Sequence, residues 1–311
     1  MKVIDCFTFC NDLEILYCRL EILWKYVDHF ILVEAGTYFS GKPKPYFFDE
    51  NKHYFRKYLN KIIHVKLDDM PTDEDVSQYL GTNPGFPLES NFDAMRELYQ
   101  TETGFRRGIQ RIELDYDDLF IISDTDEIPD PSSILRAFEM TGITAKPIYM
   151  DMDWFYSDVN FFRDDGPRIW WRGTFFQRWK NIKNIYMWFI KSRNARFDDY
   201  SNADNVMGRI VGDNSDARNT GCHFSYFGNR KKIIEKMHNF GHANEKMSRN
   251  FVTNRQVEQF QYRDLKFNEL TEEHLQHFFD VATKKVTDDE RNCLPDVYFL
   301  VERLYEENNY K

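Results

Sequence analysis

Residues 120–130 read FIISDTDEIPD, an apolar run that ends in Asp124, Asp126 and Glu127 with no basic residue among them. The apolar part, DLFIIS (118–123), is short enough for a buried strand. Three similar runs precede it: KVIDCFTF (2–9), HFILVEAG (29–36) and KIIHVKL (61–67). Helix-compatible segments separate them. DLEILYCRLEILWKYV (12–27) repeats Leu13, Leu16, Leu20, Leu23 and Val27 at helical spacing, with Asn11 or Asp12 available as a cap. The stretch from Asn91 to Leu114 is long, charged and compatible with a helix. After the acidic turn, Asp130 as cap and Pro131 at the first helical position open PSSILRAFEMTG, which Gly142 can close. Strands alternating with helices predict an α/β fold with a mostly parallel central sheet flanked by helices. In such sheets ligands bind beyond the carboxyl ends of the strands, so the acids stand where chemistry is expected.

Beyond Lys146 the texture changes. KPIYMDMDWFYSDVNFF (146–162), RIWWRGTFFQRWKNI (168–182) and TGCHFSYFG (220–228) are aromatic and strand-like, and predict an antiparallel or mixed extension of the sheet. From Asn229 the chain reads as largely helical, with RKKIIEKMHNF (230–240) and EEHLQHFFDVATKK (272–285) the clearest amphipathic segments. The absence of a repeat or low-complexity linker favours one domain over 1–245, with 246–311 a helical C-terminal extension packed upon it.

Composition narrows the function. The 311 residues carry 41 basic and 51 acidic side chains, a net charge of -10, against nonspecific grip on a phosphate backbone and against a nucleic-acid partner. No targeting segment opens the chain, and no apolar run approaches the roughly 20 residues that span a bilayer. Five cysteines without a C-x-x-C pair favour free thiols, packed as small apolar residues in a reducing compartment.

In an extended segment Asp124 and Asp126 point the same way, about 6 to 7 Å apart. Such a pair resists ionisation unless a cation joins it. Hard carboxylate oxygens suit Mn2+ or Mg2+, which keep room for phosphate oxygens. Spacing alone also allows a second role, in which the two acids only shape the turn before the next helix.

The surrounding blocks go further. DCFTFCNDLEILYCRLEIL (5–23), VDHFILVEAGTYFSGKPKPYFF (27–48), KIIHVKLDDMP (61–71), IISDTDEIP (121–129), GCHFSYFG (221–228) and KMHNFGHANE (236–245) together resemble glycosyltransferase family 17, the β-1,4-mannosyl-glycoprotein β-1,4-N-acetylglucosaminyltransferases and their microbial and viral relatives. The resemblance implies a GT-A-type nucleotide-sugar-binding fold, a UDP-sugar donor and inverting transfer of N-acetylglucosamine to a glycan or other hydroxyl acceptor. Asp124 and Asp126 would be its D-x-D motif holding Mn2+ (or Mg2+) against the diphosphate, with His223 as a further metal ligand. Glu34 and Asp68 (or Asp69) would meet the nucleoside, and Arg106, with Arg107, the diphosphate. Phe105 and Cys222 stand where the family has glutamine and tryptophan. His242 and Glu245 form a further polar pair near the phosphates or acceptor. For the base that takes the acceptor proton Asp153 is the first candidate, with Glu245 and Asp158 after it, none singled out by spacing. Trp154, Tyr156, Trp170 and Trp171 either stack on sugar faces or fill the core. The family's animal members are Golgi-anchored; a chain without an anchor implies a microbial or viral cytoplasmic enzyme.

Two rivals stay open. A phosphohydrolase of the haloacid-dehalogenase type also carries D-x-D after an apolar strand, although near its start, whereas three strands precede it here. A non-catalytic carbohydrate-binding relative of a transferase would keep the same motifs.

Overall fold

The computed structural model describes residues 1–82, 92–145, 147–163, 173–183, 206–207, 220–241, 243–247, 258–259, 261–292 and 294–307. Two sheets and their helices make a mixed α/β fold. Strands β1 (Val3–Phe9), β2 (His29–Ala35), β3 (Ile62–Leu67) and β4 (Leu119–Asp124) pair in parallel in the order β3-β2-β1-β4. All four predicted strands are present within a residue or two of their expected bounds. Beyond β4 the sheet is mixed rather than parallel. β9 (Phe175–Arg178) runs antiparallel between β4 and β6 (Ile148–Met150), and β10 (Val206–Met207) closes the edge.

The second sheet is built from β5 (Glu127–Pro129), β7 (Asp153–Tyr156), β8 (Phe161–Arg163), β11 (Gly221–Ser225) and β12 (Thr283–Lys285), in the order β12-β8-β7-β11-β5. The expected helical tail is thus not wholly helical, because Thr283–Lys285 pairs antiparallel with β8. The acidic turn is the hinge between the sheets: Asp124 ends β4, and Glu127 begins β5.

Helix α1 (Leu13–Leu23) buries Ile15, Leu16, Leu20 and Leu23 on one face of the parallel strands. On the same side, α2 (Phe47–Asn51) follows the proline loop and buries Phe48 in that core. Helix α3 (Asp73–Thr82) follows β3. Helix α4 (Phe92–Ile109) packs against α3 and covers the other face of the sheet, where Phe105 and Ile109 meet Ile31, Val33, Val65 and Ile122. Helix α5 (Pro131–Ile143) starts as expected, with Asp130 Oδ1 accepting from Ser132 N at 2.9 Å. The same carboxylate reaches across the chain, its Oδ2 accepting from Val297 N at 3.1 Å. That bond seats α10 (Asp296–Glu307), which packs on α1. Between them in sequence lie α6 (Trp179–Ile182), α7 (Arg230–Asn239), α8 (Glu272–Ala282) and α9 (Asp288–Arg291). No helix among the described residues is long and apolar enough to cross a membrane.

Two glycines let α4 lie flat on the sheet. A Cβ on Gly104 would stand 2.2 Å from Val33 Cγ1, and one on Gly108 2.3 Å from Ile31 Cγ2. Gly104→Ala would gain up to about 1 kcal/mol of helix propensity but force an overpacked contact that costs about 1–3 kcal/mol. Net destabilisation is therefore expected in urea unfolding, and a Gly104→Ala protein more stable than the native one would refute the close approach.

Candidate active site

A buried arginine explains how the acidic turn is shaped. Arg19 lies on the inward face of α1 and is fully buried. Its Nε and Nη2 fork onto Asp5 of β1 at 2.9 and 2.6 Å. Nη1 donates to the carbonyls of Asp124 (3.0 Å) and Glu127 (2.6 Å), and Nη2 to Ser123 Oγ (2.6 Å). The guanidinium also lies 4.6 Å from the centre of the Phe7 ring. Arg19 thereby ties down the main chain at both ends of the acidic turn.

Neighbouring bonds complete the turn. Thr8 Oγ1 donates to Asp124 Oδ1 at 2.7 Å, and Thr125 Oγ1 donates to the Thr8 carbonyl at 2.5 Å. Glu127 is buried and braces the turn from within, its Oε2 accepting from Asp124 N (3.2 Å) and Thr174 Oγ1 (2.9 Å).

Asp126 is the acid that faces other charges. Its Oδ2 is 2.8 Å from Lys236 Nζ, and its Oδ1 is 3.5 Å from His223 Nε2. Asp12, at the tip of β1, brings a second carboxylate 3.5 Å from the same ammonium. Asp12 sits at the cap position of α1 without capping it by its side chain, contrary to the sequence expectation. Burial pushes the Asp126 carboxyl up, but the Lys236 ammonium and His223 outweigh it and hold it well below the usual carboxylate range. Conversely, burial would depress the Lys236 ammonium, and Asp12 and Asp126 raise it above its ordinary value. His223 rests on Ser225 Oγ (2.9 Å), which accepts from Trp154 Nε1 (2.9 Å), and its ring stacks on Trp154 at 5.5 Å. Arg163 covers Trp154 at 3.9 Å.

Other predicted residues are placed elsewhere. Asp124 turns to Thr8, and among the described residues no three His, Cys, Asp or Glu side chains form a closed ligand group, so the set Asp124, Asp126 and His223 is not assembled as such. Glu34 is buried and organises the chain after the proline loop, accepting from Phe48 N (3.1 Å) with His64 Nε2 at 3.0 Å and Lys44 Nζ at 3.7 Å. Asp68 is exposed at the end of β3. Beside it Arg107 forks onto Asp69 and pulls that carboxyl down to about 2. Arg106 pairs with Glu102 and donates to the Lys183 carbonyl at 3.2 Å, on the face of the sheet that α4 covers. Asp153 is buried and registers with Cys222, whereas Trp154 registers with His223. Alternation along β7 therefore turns Asp153 to the opposite face from His223. Glu245 lies in the turn after α7, its carbonyl accepting from Phe267 N at 3.1 Å. Asp158 holds a local turn through Asn160 N at 2.8 Å. Tyr156 is core, while Trp154 is half-buried against His223. His242, Trp170, Trp171 and Cys293 lie outside the described residues. The four described cysteines are free thiols, and Cys6, Cys18 and Cys222 are buried, as expected of core residues.

Sequence reading missed Arg19, Asp12 and Lys236. Arg19 did leave a signal, a charged residue inside the Ile15, Leu16, Leu20, Leu23 stripe. Lys236 left none, because Lys231 and Lys232 share its helix and only docking separates their roles.

An α/β fold with parallel strands and a charged cluster at their tips agrees with what the chain is similar to. The model of glycosyltransferase family 17 matches residues 1–293, and the chain belongs to that family of glycosyltransferases. This membership sets aside the phosphohydrolase alternative. A beta-1,4-mannosyl-glycoprotein 4-beta-N-acetylglucosaminyltransferase of Rattus norvegicus is 28% identical over 137 residues, 43% of this chain and 23% of that protein. The chain thus matches less than a quarter of that relative's length. The crystal structure of 4-diphosphocytidyl-2C-methyl-D-erythritol synthase is similar over 58% of this chain and 76% of that one, at 15% identity and a TM-score of 0.30, too low to carry weight.

The Arg19 cluster makes a firm prediction. Arg19→Met strands the Asp5 carboxylate in the core and should cost about 3–5 kcal/mol in urea unfolding. Asp5→Leu combined with Arg19→Met should recover part of that loss; a single variant as stable as the native protein would rule out the staple.

Proposed function

We propose that this chain is a metal-dependent inverting glycosyltransferase with a GT-A-type fold, which moves N-acetylglucosamine from a UDP-sugar to a hydroxyl on a glycan. The observation that carries the reading is Asp126, held ionised at the tip of β4 between His223 and Lys236. Family membership and the name of the rat relative support the sugar and the glycan acceptor.

The residues fit a divalent ion. Asp126 supplies a hard oxygen and His223 an imidazole nitrogen facing it across 3.5 Å, a donor set that suits Mn2+. Such an ion is commonly held by one or two protein side chains and completed by phosphate oxygens, so a third protein ligand is not required. Asp126 and His223 would hold it, with Asp124 adjoining. When bound, the ion neutralises charge on the departing diphosphate.

The chain's own residues do the rest. Arg19 keeps the Asp124–Glu127 backbone in place, so that Asp126 needs no rearrangement when the donor arrives. Ser225 and Trp154 fix the orientation of His223. For the base we favour Glu245 over Asp153, because Asp153 is buried on the face of β7 that turns from His223, while Glu245 is only partly buried. A cytoplasmic, reducing setting is proposed with it, supported by the free thiols of Cys6, Cys10, Cys18 and Cys222.

Thermal shift and calorimetry with UDP-N-acetylglucosamine test the donor site. At about 100 times Kd a true donor should stabilise the enzyme by about 2.7 kcal/mol, and only with Mn2+ present. Asp126→Ala should abolish the response. An equal response without metal, or an Asp126→Ala protein that still responds, would sink the reading. For the base, Glu245→Gln should lower kcat about 10²- to 10⁴-fold with donor binding intact, and unchanged turnover would remove Glu245 from that role.

A further inference from the structure

We infer that Lys236 is a donor-binding residue that occupies the cation's place on Asp126 until the diphosphate arrives, and that it thereby makes metal and nucleotide binding interdependent. The inference rests on the donor-site reading above and adds a residue and a binding order to it.

The placement of Lys236 is built, not incidental. Helix α7 is capped by Asn229, whose Oδ1 accepts from Lys232 N at 3.0 Å, and anchored by buried Ile233 and Met237. On the side facing the strand tips, Glu235 accepts from Tyr38 OH and, at 3.4 Å, from Asn11 Nδ2, while Lys232 pairs with Glu14 of α1. These contacts pin the helix turn that carries Lys236 over the ends of β1 and β4. Its ammonium then spans Asp126 at 2.8 Å and Asp12 at 3.5 Å, carboxylates from the turn after β4 and from the start of α1. The Lys236 side chain is 23% exposed, so a ligand at the tips can reach it.

Electrostatics supplies the consequence. A lysine ammonium is a point charge on a flexible stem, able to move between acceptors. While it sits on Asp126 it repels a divalent ion seeking the same carboxylate. A diphosphate changes the balance, because its oxygens can accept from the ammonium and ligate the metal at once. Lys236 then transfers from carboxylate to phosphate, and both cations are accommodated. The metal should therefore bind poorly to the free enzyme and well to the nucleotide complex, and the coupling must be reciprocal.

Direct Mn2+ binding, read by the electron paramagnetic resonance of the free ion, tests this with and without UDP. Wild-type enzyme should bind Mn2+ at least about tenfold more tightly when UDP is present, within the usual range of coupling. Lys236→Met should bind Mn2+ alone about tenfold more tightly than wild type, and should bind UDP about tenfold less tightly at saturating Mn2+. Lys236→Arg, which keeps the charge, should behave like wild type toward metal alone. Metal affinity in the absence of UDP that is unchanged or weaker in Lys236→Met would overturn the proposal. Should that variant not fold, wild-type enzyme that binds Mn2+ equally with and without UDP overturns it as well. Wild-type protein that binds no UDP at any Mn2+ concentration would instead overturn the donor-site reading, and this inference with it.

Discussion

The fork between Arg19 and Asp5 is the constraint on which the site depends. It joins α1 to β1 in the core, and the remaining donors of the same guanidinium hold the main chain where β4 gives way to β5. A charge buried this deeply survives only because every direction around it offers an oxygen or an aromatic face. The arrangement couples fold to chemistry: the pair that secures the first helix against the sheet also holds the main chain on either side of Asp126. Rigid presentation matters for a site built on like charges, since acids free to separate would do so.

From that fixed turn the site grows by recruitment from distant chain segments. Asp12 comes from the tip of β1, Asp126 from the turn after β4, His223 from β11 and Lys236 from α7. The second sheet delivers His223, because β11 pairs with β5 directly after the turn and Phe224 N donates to the Asp126 carbonyl at 2.8 Å. A one-residue slip in that pairing would turn His223 to the core and Cys222 to the acids. Register, rather than residue type, makes this histidine part of the site.

Acids at the ends of strands turn out to have different occupations. Glu34 is consumed by Phe48 N and His64, and Glu127 by Asp124 N and Thr174. Both are carboxylates at strand tips, where acids are expected to meet a nucleotide, and both instead satisfy buried donors. Partners distinguish them from Asp126: Glu34 and Glu127 each accept from a main-chain N–H and organise the chain locally, whereas Asp126 meets the side chains of Lys236 and His223.

The sequence by itself determined the four parallel strands, the helices α1, α4 and α5 and the location of the acids at a strand tip. These follow from local periodicity, from Pro131 and Asp130 at a helix start, and from short-range motif spacing. It also carried the resemblance that family membership bears out. Tertiary structure alone decided that Arg19 shapes the turn, that the Asp12 side chain meets a lysine instead of capping its helix, that Asp153 faces away from His223, and that Lys236 rather than its neighbours stands over Asp126. The physical reason is distance along the chain: Lys236 and Asp126 are 110 residues apart, and no local propensity encodes which of several similar side chains a docked helix will bring to a charge.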